Sequence, residues 1–177
     1  KGGKIMRTGN GGSCADCEHI TGELMKGFYL KRPLRGEEKA AVHQTTDALL
    51  PETAEILQQG LPAIALTGHA ALSTAVQNDI DPLLGPAQQV VALGKPGDVV
   101  IGISTSGNAK NAALAVSVAK ALKMHTLALT GGTGGRLKSI CEHAIVVPGS
   151  SPADVQELHL PVYHTLCAML EAKFFTE

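Results

Sequence analysis

The amino-acid sequence predicts an α/β protein in which helices cover both faces of a five-stranded parallel sheet, the doubly wound arrangement. Five short apolar runs, rich in Val, Ile, Leu and Ala, recur along the chain and have the length of buried strands. Segments with helical spacing separate them, and two of the runs end in a turn of small residues that leads into a helix. Such alternation is typical of a parallel sheet covered on both faces.

The clearest strand-to-helix junction lies at residues 97–111, which read GDVVIGISTSGNAKN. A buried strand is predicted over 99–103, then a hydroxyl-rich turn, then a helix over 109–122. Hydroxyl side chains and glycine, placed where backbone N–H groups emerge unpaired at a helix start, favour an anion such as a phosphate ester. The loop has no lysine, so a monophosphate suits it better than a triphosphate. A plain turn with a helix cap is an equal alternative.

A second loop of this kind, Gly9 to Ser13, follows a strand predicted at residues 4–8. In one parallel sheet both loops lie at the same edge, where ligands bind, so we expect Ser13 and the hydroxyls of residues 104–106 to converge on one phosphate. In the helix predicted over 13–26, His19 and Glu23 share a face. Such a pair serves as a proton-transfer pair, as two metal ligands or as a solvated pair, and spacing alone favours the last.

The composition changes between residues 28 and 60. A polar connector at 31–39 and helical spacing over 41–59, interrupted by Pro51, predict a helical insertion rather than a second domain. Beyond it we predict a strand at 62–66, a short helix at 73–77 and a longer helix at 83–93.

The last third of the chain predicts strands at 126–129 and 145–147 and a terminal helix over 153–174 that begins with good capping residues. The glycine run between them lacks the spacing of a dinucleotide-binding loop, so no nucleotide cofactor is expected. Along the terminal helix Gln156, Leu160 and His164 form one stripe. Placed beside His19 and Glu23, this stripe would supply four metal ligands, or an acid and a base around a bound sugar.

Composition narrows the function. The 177 residues carry 15 basic and 16 acidic side chains, which favours neither nucleic acid nor an anionic membrane as a partner. No apolar run has the length of a membrane span and no signal-peptide pattern opens the chain, so a cytoplasmic location is expected. We interpret Cys14 and Cys17 as two small helix residues rather than a zinc or redox motif, and expect moderate reactivity of Cys17.

Taken in order, these motifs resemble the sugar isomerase (SIS) domain family, and within it the phosphoheptose isomerase branch. The resemblance covers nearly the whole chain outside residues 30–60. It implies a single SIS domain over 1–177 with a Rossmann-like, flavodoxin-type sheet and a helical insertion at 28–60; the family helix before the first strand has no counterpart in these residues. The motifs are GNGGS at 9–13, the helix with His19 and Glu23, PAIAL at 62–66, Asn78-Asp79, GDVVIGISTSGN at 97–108, LTG at 129–131 and the residues from Gln156 to His164.

The resemblance implies an aldose–ketose isomerase that converts sedoheptulose 7-phosphate to D-glycero-D-manno-heptose 7-phosphate through an enediol. Glu23 would be the general base and His164 its partner acid, because the reaction moves a proton between C1 and C2 while a second group handles the oxygen protons. A homo-oligomer, tetramer or dimer, with active sites near its interfaces is also implied. The implied substrate-binding residues are Asn10, Gly11, Ser13, Asn78, Asp79, Ser104, Thr105, Ser106, Asn108 and Gln156.

In some members of the family the positions of His19, Glu23, Gln156 and His164 hold zinc, and the resemblance extends this prediction of one zinc ion per site to the present chain. A zinc ion would polarise the carbonyl and stabilise the enediolate. The chain departs from the family at five positions, which bear on the choice of sugar. Ala109 replaces a serine, Gly27 an arginine for which Lys26 or Arg32 could substitute, Ala153 an aspartate, Asp154 an arginine and Gly68 an aspartate.

Two other function classes fit an SIS fold, since a fold does not determine a function. A non-catalytic relative binds the bacterial replication initiator protein and has lost the catalytic glutamate and the last histidine. Both Glu23 and His164 are present here, which favours an enzyme. A sugar-phosphate sensor ranks last, because the sequence shows no DNA-binding helical domain and no basic patch.

Overall fold

In the computed structural model, which describes residues 2–46 and 52–176, five strands form a single sheet. The strands are β1 (Ile5–Thr8), β2 (Ala63–Ala65), β3 (Val99–Ser104), β4 (His125–Gly131) and β5 (His143–Val147). Their order is β2-β1-β3-β4-β5 and each neighbouring pair is parallel. The predicted doubly wound parallel sheet is therefore confirmed.

Helices connect the strands and cover the sheet. They are α1 (Gly12–Met25), α2 (Gly36–Thr46), α3 (Thr53–Ile56), α4 (Ala70–Asp79), α5 (Gly85–Leu93), α6 (Lys110–Ala121), α7 (Gly135–Ile140) and α8 (Pro152–Phe175). Among the helices in the described ranges, none is both long enough and apolar enough to cross a bilayer.

Side chains that alternate along the strands supply two apolar layers. Met6 and Val100 point to one face, where they pack with α5, α6 and Leu137 of α7. Ile103 and Leu129 point to the other face, where they pack with α1 and α8. The candidate catalytic residues Glu23 and His164 lie on α1 and α8, so the packing of these two helices determines the geometry of the site.

Two local predictions differ from the structure. No helix was predicted between the strands at 126–129 and 145–147, but Gly134 and Gly135, with positive φ angles of 83° and 51°, lead directly into α7. The polar connector at 31–39 is wrong in part, because α2 begins at Gly36 and Arg32 is fully buried. The expected interruption at Pro51 lies outside the described residues.

The sheet changes its direction of winding between β1 and β3, since the chain runs from β1 outward to β2 and returns to the far side of β1. Ligands of open α/β sheets bind at this place. Here the loop after β1 and the start of α6 are joined by a reciprocal pair of amide hydrogen bonds. Asn10 donates to Asn111 at 2.9 Å, and Asn111 donates back at 2.8 Å.

Candidate active site

A polar cleft of about 290 Å³ lies at the carboxyl edge of the sheet. The turn after β3 contributes Thr105, Ser106 and Asn108, and the ends of β4 and β5 and the start of α8 complete the lining. None of the residues that line it is basic. An anion bound there would depend on hydroxyl groups and backbone N–H groups, as expected for a phosphate ester at helix starts.

The turn after β3 is held in place by contacts with the loop that precedes α7. Gly107 has a φ of 69°, and a Cβ atom there would lie 2.0 Å from the Gly134 carbonyl oxygen, so only glycine fits. The Asn108 side chain accepts a hydrogen bond from the backbone N–H of Arg136 at 3.0 Å. These contacts fix the hydroxyls of the turn before any ligand binds.

The two helix starts at this cleft differ in their capping. At α6 the N-cap residue is Ala109, which has no side-chain cap. Asn111 Oδ1 accepts from Ala112 N–H at 3.0 Å, which leaves the N–H groups of Lys110 and Asn111 for a ligand. At α8 a capping box uses these groups: Asp154 N–H donates to Ser151 Oγ at 3.2 Å, and Ser151 N–H donates to Asp154 Oδ2 at 3.0 Å. Hydrogen bonds from Ser150 and Ser151 hold the pKa of Asp154 below its usual value. The start of α6 therefore favours a bound phosphate, whereas the Asp154 carboxylate would repel a phosphate at the start of α8.

The structure does not bring all the predicted phosphate-binding residues to this cleft. Ser13 and Ser104 are buried and are not among the residues that line it. Asn10 and Gly11 line a neighbouring cleft of about 220 Å³ instead, together with Thr67 and Asn111. The expected convergence of Ser13 with the hydroxyls of the β3 turn is thus not seen within one chain.

Asn78 and Asp79 lie at the exposed C-terminal end of α4. The Asn78 amide donates to Asp79 Oδ1 at 2.8 Å, and neither residue is among those that line the two clefts. Their contact with the sugar stays a prediction.

The predicted proton-transfer pair lies on the seam between α1 and α8. Glu23 Oε1 is 3.3 Å from His19 Nε2, and Lys26 Nζ is 3.0 Å from Glu23 Oε2. The ring of His164 packs edge-on against that of His19, with centroids 5.1 Å apart. The structure therefore brings Glu23, His19 and His164 together in one cluster. The sequence did not predict that α1 and α8 meet.

The loop after α1 packs against this cluster. Phe28 lies against His164 with ring centroids 5.3 Å apart. The loop is held by Glu171, which accepts hydrogen bonds from the backbone N–H groups of residues 28–30 and from Arg32 Nε at 2.7 Å. Arg32 is thus committed to a buried ion pair and does not substitute for the arginine that Gly27 replaces.

Gln156 is separate from the other three predicted metal ligands. It lies eight residues before His164 on α8, which corresponds to roughly 12 Å along a helix. Its side chain rests on Gly12 at the start of α1. Within residues 2–46 and 52–176, no group of three or more His, Cys, Asp or Glu side chains is arranged to hold a metal ion. As placed, the residues do not fit a four-ligand zinc site, and the chemistry below uses no metal.

A layer of polar side chains beneath the cluster was not predicted. Asp16 Oδ2 lies 3.9 Å from Nδ1 of the fully buried His159. Tyr163, also buried, places its hydroxyl 2.9 Å from His19 Nδ1. Burial raises the pKa of Asp16 and lowers that of His159. The available signal was spacing, because Asp16 precedes His19 by one helical turn and His159 precedes Tyr163 by one turn.

The expectation that Cys17 is moderately reactive is wrong. Cys17 is completely buried, and burial raises the pKa of its thiol to about 12. A thiol is reactive only as the thiolate, so Cys17 is a core residue.

Comparison with known proteins places the chain in a family. Residues 40–131 match the SIS domain family. The chain is 38% identical over 174 residues to a phosphoheptose isomerase of Maridesulfovibrio salexigens, with 98% of this chain and 72% of that protein covered. It is 38% identical over 173 residues to a probable phosphoheptose isomerase of Thermoplasma acidophilum, with 98% and 81% covered.

Solved structures agree with these relatives. A phosphoheptose isomerase from Neisseria gonorrhoeae superposes with a TM-score of 0.75 at 32% identity, over 96% of this chain and 77% of that one. One from Francisella tularensis gives a TM-score of 0.75 at 34% identity, over 94% and 75%. The chain therefore belongs to the SIS domain family and, within that family, to the phosphoheptose isomerases.

Proposed function

We propose that this chain is a phosphosugar isomerase that interconverts sedoheptulose 7-phosphate and D-glycero-D-manno-heptose 7-phosphate. The observation that carries the proposal is the cluster of Glu23, His19 and His164 on the α1–α8 seam, which places a carboxylate and two imidazoles together. An enediol reaction requires this combination, a base for the carbon-bound proton and a second group for the oxygen protons. The resemblance to phosphoheptose isomerases specifies the sugar.

In the proposed mechanism, Glu23 removes the proton from the sugar carbon and returns it to the neighbouring carbon. His19, 3.3 Å away, holds the carboxylate in place. His164 donates and accepts the oxygen protons, and its Nε2 has no hydrogen-bond partner among the described residues. The sugar phosphate is anchored by the hydroxyls and open N–H groups at the start of α6.

We propose in addition that the active site is shared between chains. Glu23 lies eleven residues beyond the start of α1, roughly 16 Å along the helix from the carboxyl edge of the sheet, where the phosphate cleft opens. An extended seven-carbon sugar phosphate is shorter than this separation. This separation supports a site in which a second copy of the chain supplies either the base or the cleft, as in the predicted homo-oligomer.

A coupled isomerase assay with sedoheptulose 7-phosphate tests the activity. The wild-type protein should turn over the sugar, and Glu23→Gln should abolish turnover because an amide cannot act as the base. Glu18→Gln, which changes an exposed carboxylate on the same helix, is the matched control and should retain activity. Added zinc tests the predicted metal in the same assay. If the protein shows no turnover but the sugar phosphate still raises its melting temperature, the proposal of an enzyme fails and a sugar-phosphate-binding protein takes its place.

Subunit complementation tests the shared site. Glu23→Gln keeps the phosphate cleft and lacks the base, whereas Ser106→Glu keeps the base and places a repelling charge in the cleft. Each variant alone should be inactive. Oligomers formed by co-expression of the two should regain activity, because some sites then combine an intact base with an intact cleft. No recovery in mixed oligomers would show that each chain acts alone.

A further inference from the structure

A small polar pocket of about 140 Å³ lies where the C-terminal end of α8 meets the segment between α1 and α2. One water molecule occupies about 30 Å³, so the pocket suits a compact ion better than an extended sugar. Its basic residues are Lys31, Arg32 and Arg35, while Gln59 and residues 174–176 complete the lining. No acidic residue of the described chain lines it. The candidate phosphate cleft, in contrast, has no basic residue in its lining.

Hydrogen bonds hold the wall of this basic pocket in place. Gln59 N–H donates to the Arg32 carbonyl oxygen at 2.6 Å, and the Gln59 side-chain Nε2 donates to the Pro33 carbonyl oxygen at 2.8 Å. On the α8 side, the Thr176 hydroxyl donates to the Ala172 carbonyl oxygen. The shape of the pocket therefore does not depend on a ligand.

Arg32 is a buried cation with one nitrogen left over. Its side chain is 0% exposed. Nε donates to Glu171 at 2.7 Å, and Nη1 donates to the Leu24 carbonyl oxygen at 2.9 Å. Nη2 is buried and has no hydrogen-bond partner among the described residues. A buried donor without an acceptor is costly, and the phosphate or carboxylate oxygens of a ligand are the acceptors that a guanidinium binds best.

The charges at the basic pocket favour an anion. The Glu171 carboxylate offsets the charge of Arg32, but it is 2% exposed and already accepts hydrogen bonds from the backbone N–H groups of residues 28–30. Lys31 is exposed and forms no ion pair with a described residue. Arg35 is also exposed and adds a second positive charge. Exposed cations beside a buried guanidinium attract a phosphate group.

We propose that this basic pocket is a second anion site, which binds the phosphate group of a small molecule through Lys31, Arg32 and Arg35. Binding there does not depend on the proposed isomerase activity. It is linked to stability, because a ligand that binds only the folded chain raises the free energy of unfolding. The alternative role of the three cations is to compensate the negative end of the α8 dipole, and a binding experiment distinguishes the two.

Titration with inorganic phosphate tests the site in the Ser106→Glu protein, whose active-site cleft repels phosphate. At constant ionic strength, phosphate should raise the melting temperature and shift the backbone N–H signals of Lys31, Arg32 and Gln59 in a saturable way. Adding Lys31→Glu should weaken phosphate binding by at least about tenfold, because a repelling charge replaces an attracting one. Adding Lys95→Glu instead makes the same change in net charge at an exposed position outside the pocket, and should leave binding unchanged.

Methyl phosphate is the second probe, because it carries the same group as a monoester. Tighter binding of the ester would identify a phosphorylated metabolite as the ligand, and tighter binding of inorganic phosphate would identify the free ion. Either result supports the site.

The absence of saturable phosphate binding to the Ser106→Glu protein would overturn the proposal and leave the cations with the α8 dipole alone. Equal weakening by Lys31→Glu and Lys95→Glu would also overturn it, because binding would then follow net charge and not the pocket. If the wild-type protein shows no isomerase activity, the proposed function fails while these titrations still decide the anion site.

Discussion

The side chain of Gln156 rests directly on the backbone of Gly12, at the point where α8 crosses the start of α1. A Cβ atom on Gly12 would lie 2.4 Å from Gln156 Nε2, which is closer than two such atoms approach. A side chain at Gly12 would therefore displace the amide of Gln156, a residue 144 positions away in the sequence.

Gly12→Ala should displace Gln156 and lower kcat/KM by about tenfold, the effect of a misplaced substrate contact. Gly22→Ala, in the same helix, is the matched control. Its new methyl group meets nothing within 4 Å, and alanine should stabilise the helix by about 0.5–1 kcal/mol. Steady-state kinetics and urea unfolding of both variants check the pair. Equal activity of the two variants would show that Gln156 does not act on the substrate.

The buried ion pair between Arg32 and Glu171 should dominate the stability of the α1–α2 loop. Arg32→Met leaves the Glu171 carboxylate buried without its cation, and we expect a loss of about 3–5 kcal/mol in the free energy of unfolding. Lys39→Met, in the exposed pair with Glu55, should cost less than about 1 kcal/mol. Urea unfolding measures both. Similar losses for the two variants would contradict the structural role of the buried pair.

Stability should fall in acid. Burial alone would raise the pKa of Glu171, but hydrogen bonds from Phe28 N–H, Tyr29 N–H and Arg32 outweigh it and leave the pKa below its usual 4.5. A lowered pKa in the folded state means that stability is present above about pH 4.5 and is lost as the pH falls below it. The free energy of unfolding of Glu171→Gln should change less with pH in this range. An equally steep loss in the variant would exclude Glu171 as the cause.

Thiol labelling should separate the four cysteines. Cys17 and Cys167 are buried, and burial raises the pKa of their thiols to about 12 and about 11. Cys141 is partly buried, with a pKa that burial raises to about 11. Near pH 8 a disulfide reagent should therefore react first with Cys14, and the fast phase should vanish in Cys14→Ser. All four thiols should react in urea. Fast labelling of Cys17 in the folded protein would contradict this assignment.

Local features of the fold were predictable because short stretches of chain encode them. Apolar runs predicted all five strands, and the capping residues predicted the start of α8, where Ser151 and Asp154 form the capping box. Helix α7 was not predicted because a run of glycines is typical of a loop. Gly134 and Gly135 adopt positive φ angles where their backbone contacts the turn at Gly107, and only the folded structure shows this contact.

The candidate site was predictable in its parts and not in its assembly. His19 and Glu23 are four residues apart on one helix, and the 3.3 Å contact between them follows from that spacing. Gln156 and His164 also share a stripe, yet Gln156 contacts the first residue of α1 and His164 contacts His19 in the middle of it. Which residues of α8 face α1 depends on how two helices pack, and helical spacing alone does not give this.

By itself, the sequence determined the alternation of strands and helices, the phosphate-type turn after β3 and the family to which the chain belongs. Only the tertiary structure decided that Tyr163 meets His19 and that Arg32 is buried against Glu171. The physical reason is sequence separation. A turn or a cap is formed by neighbours along the chain, whereas these contacts join residues more than 130 positions apart and exist only when α8 packs on α1.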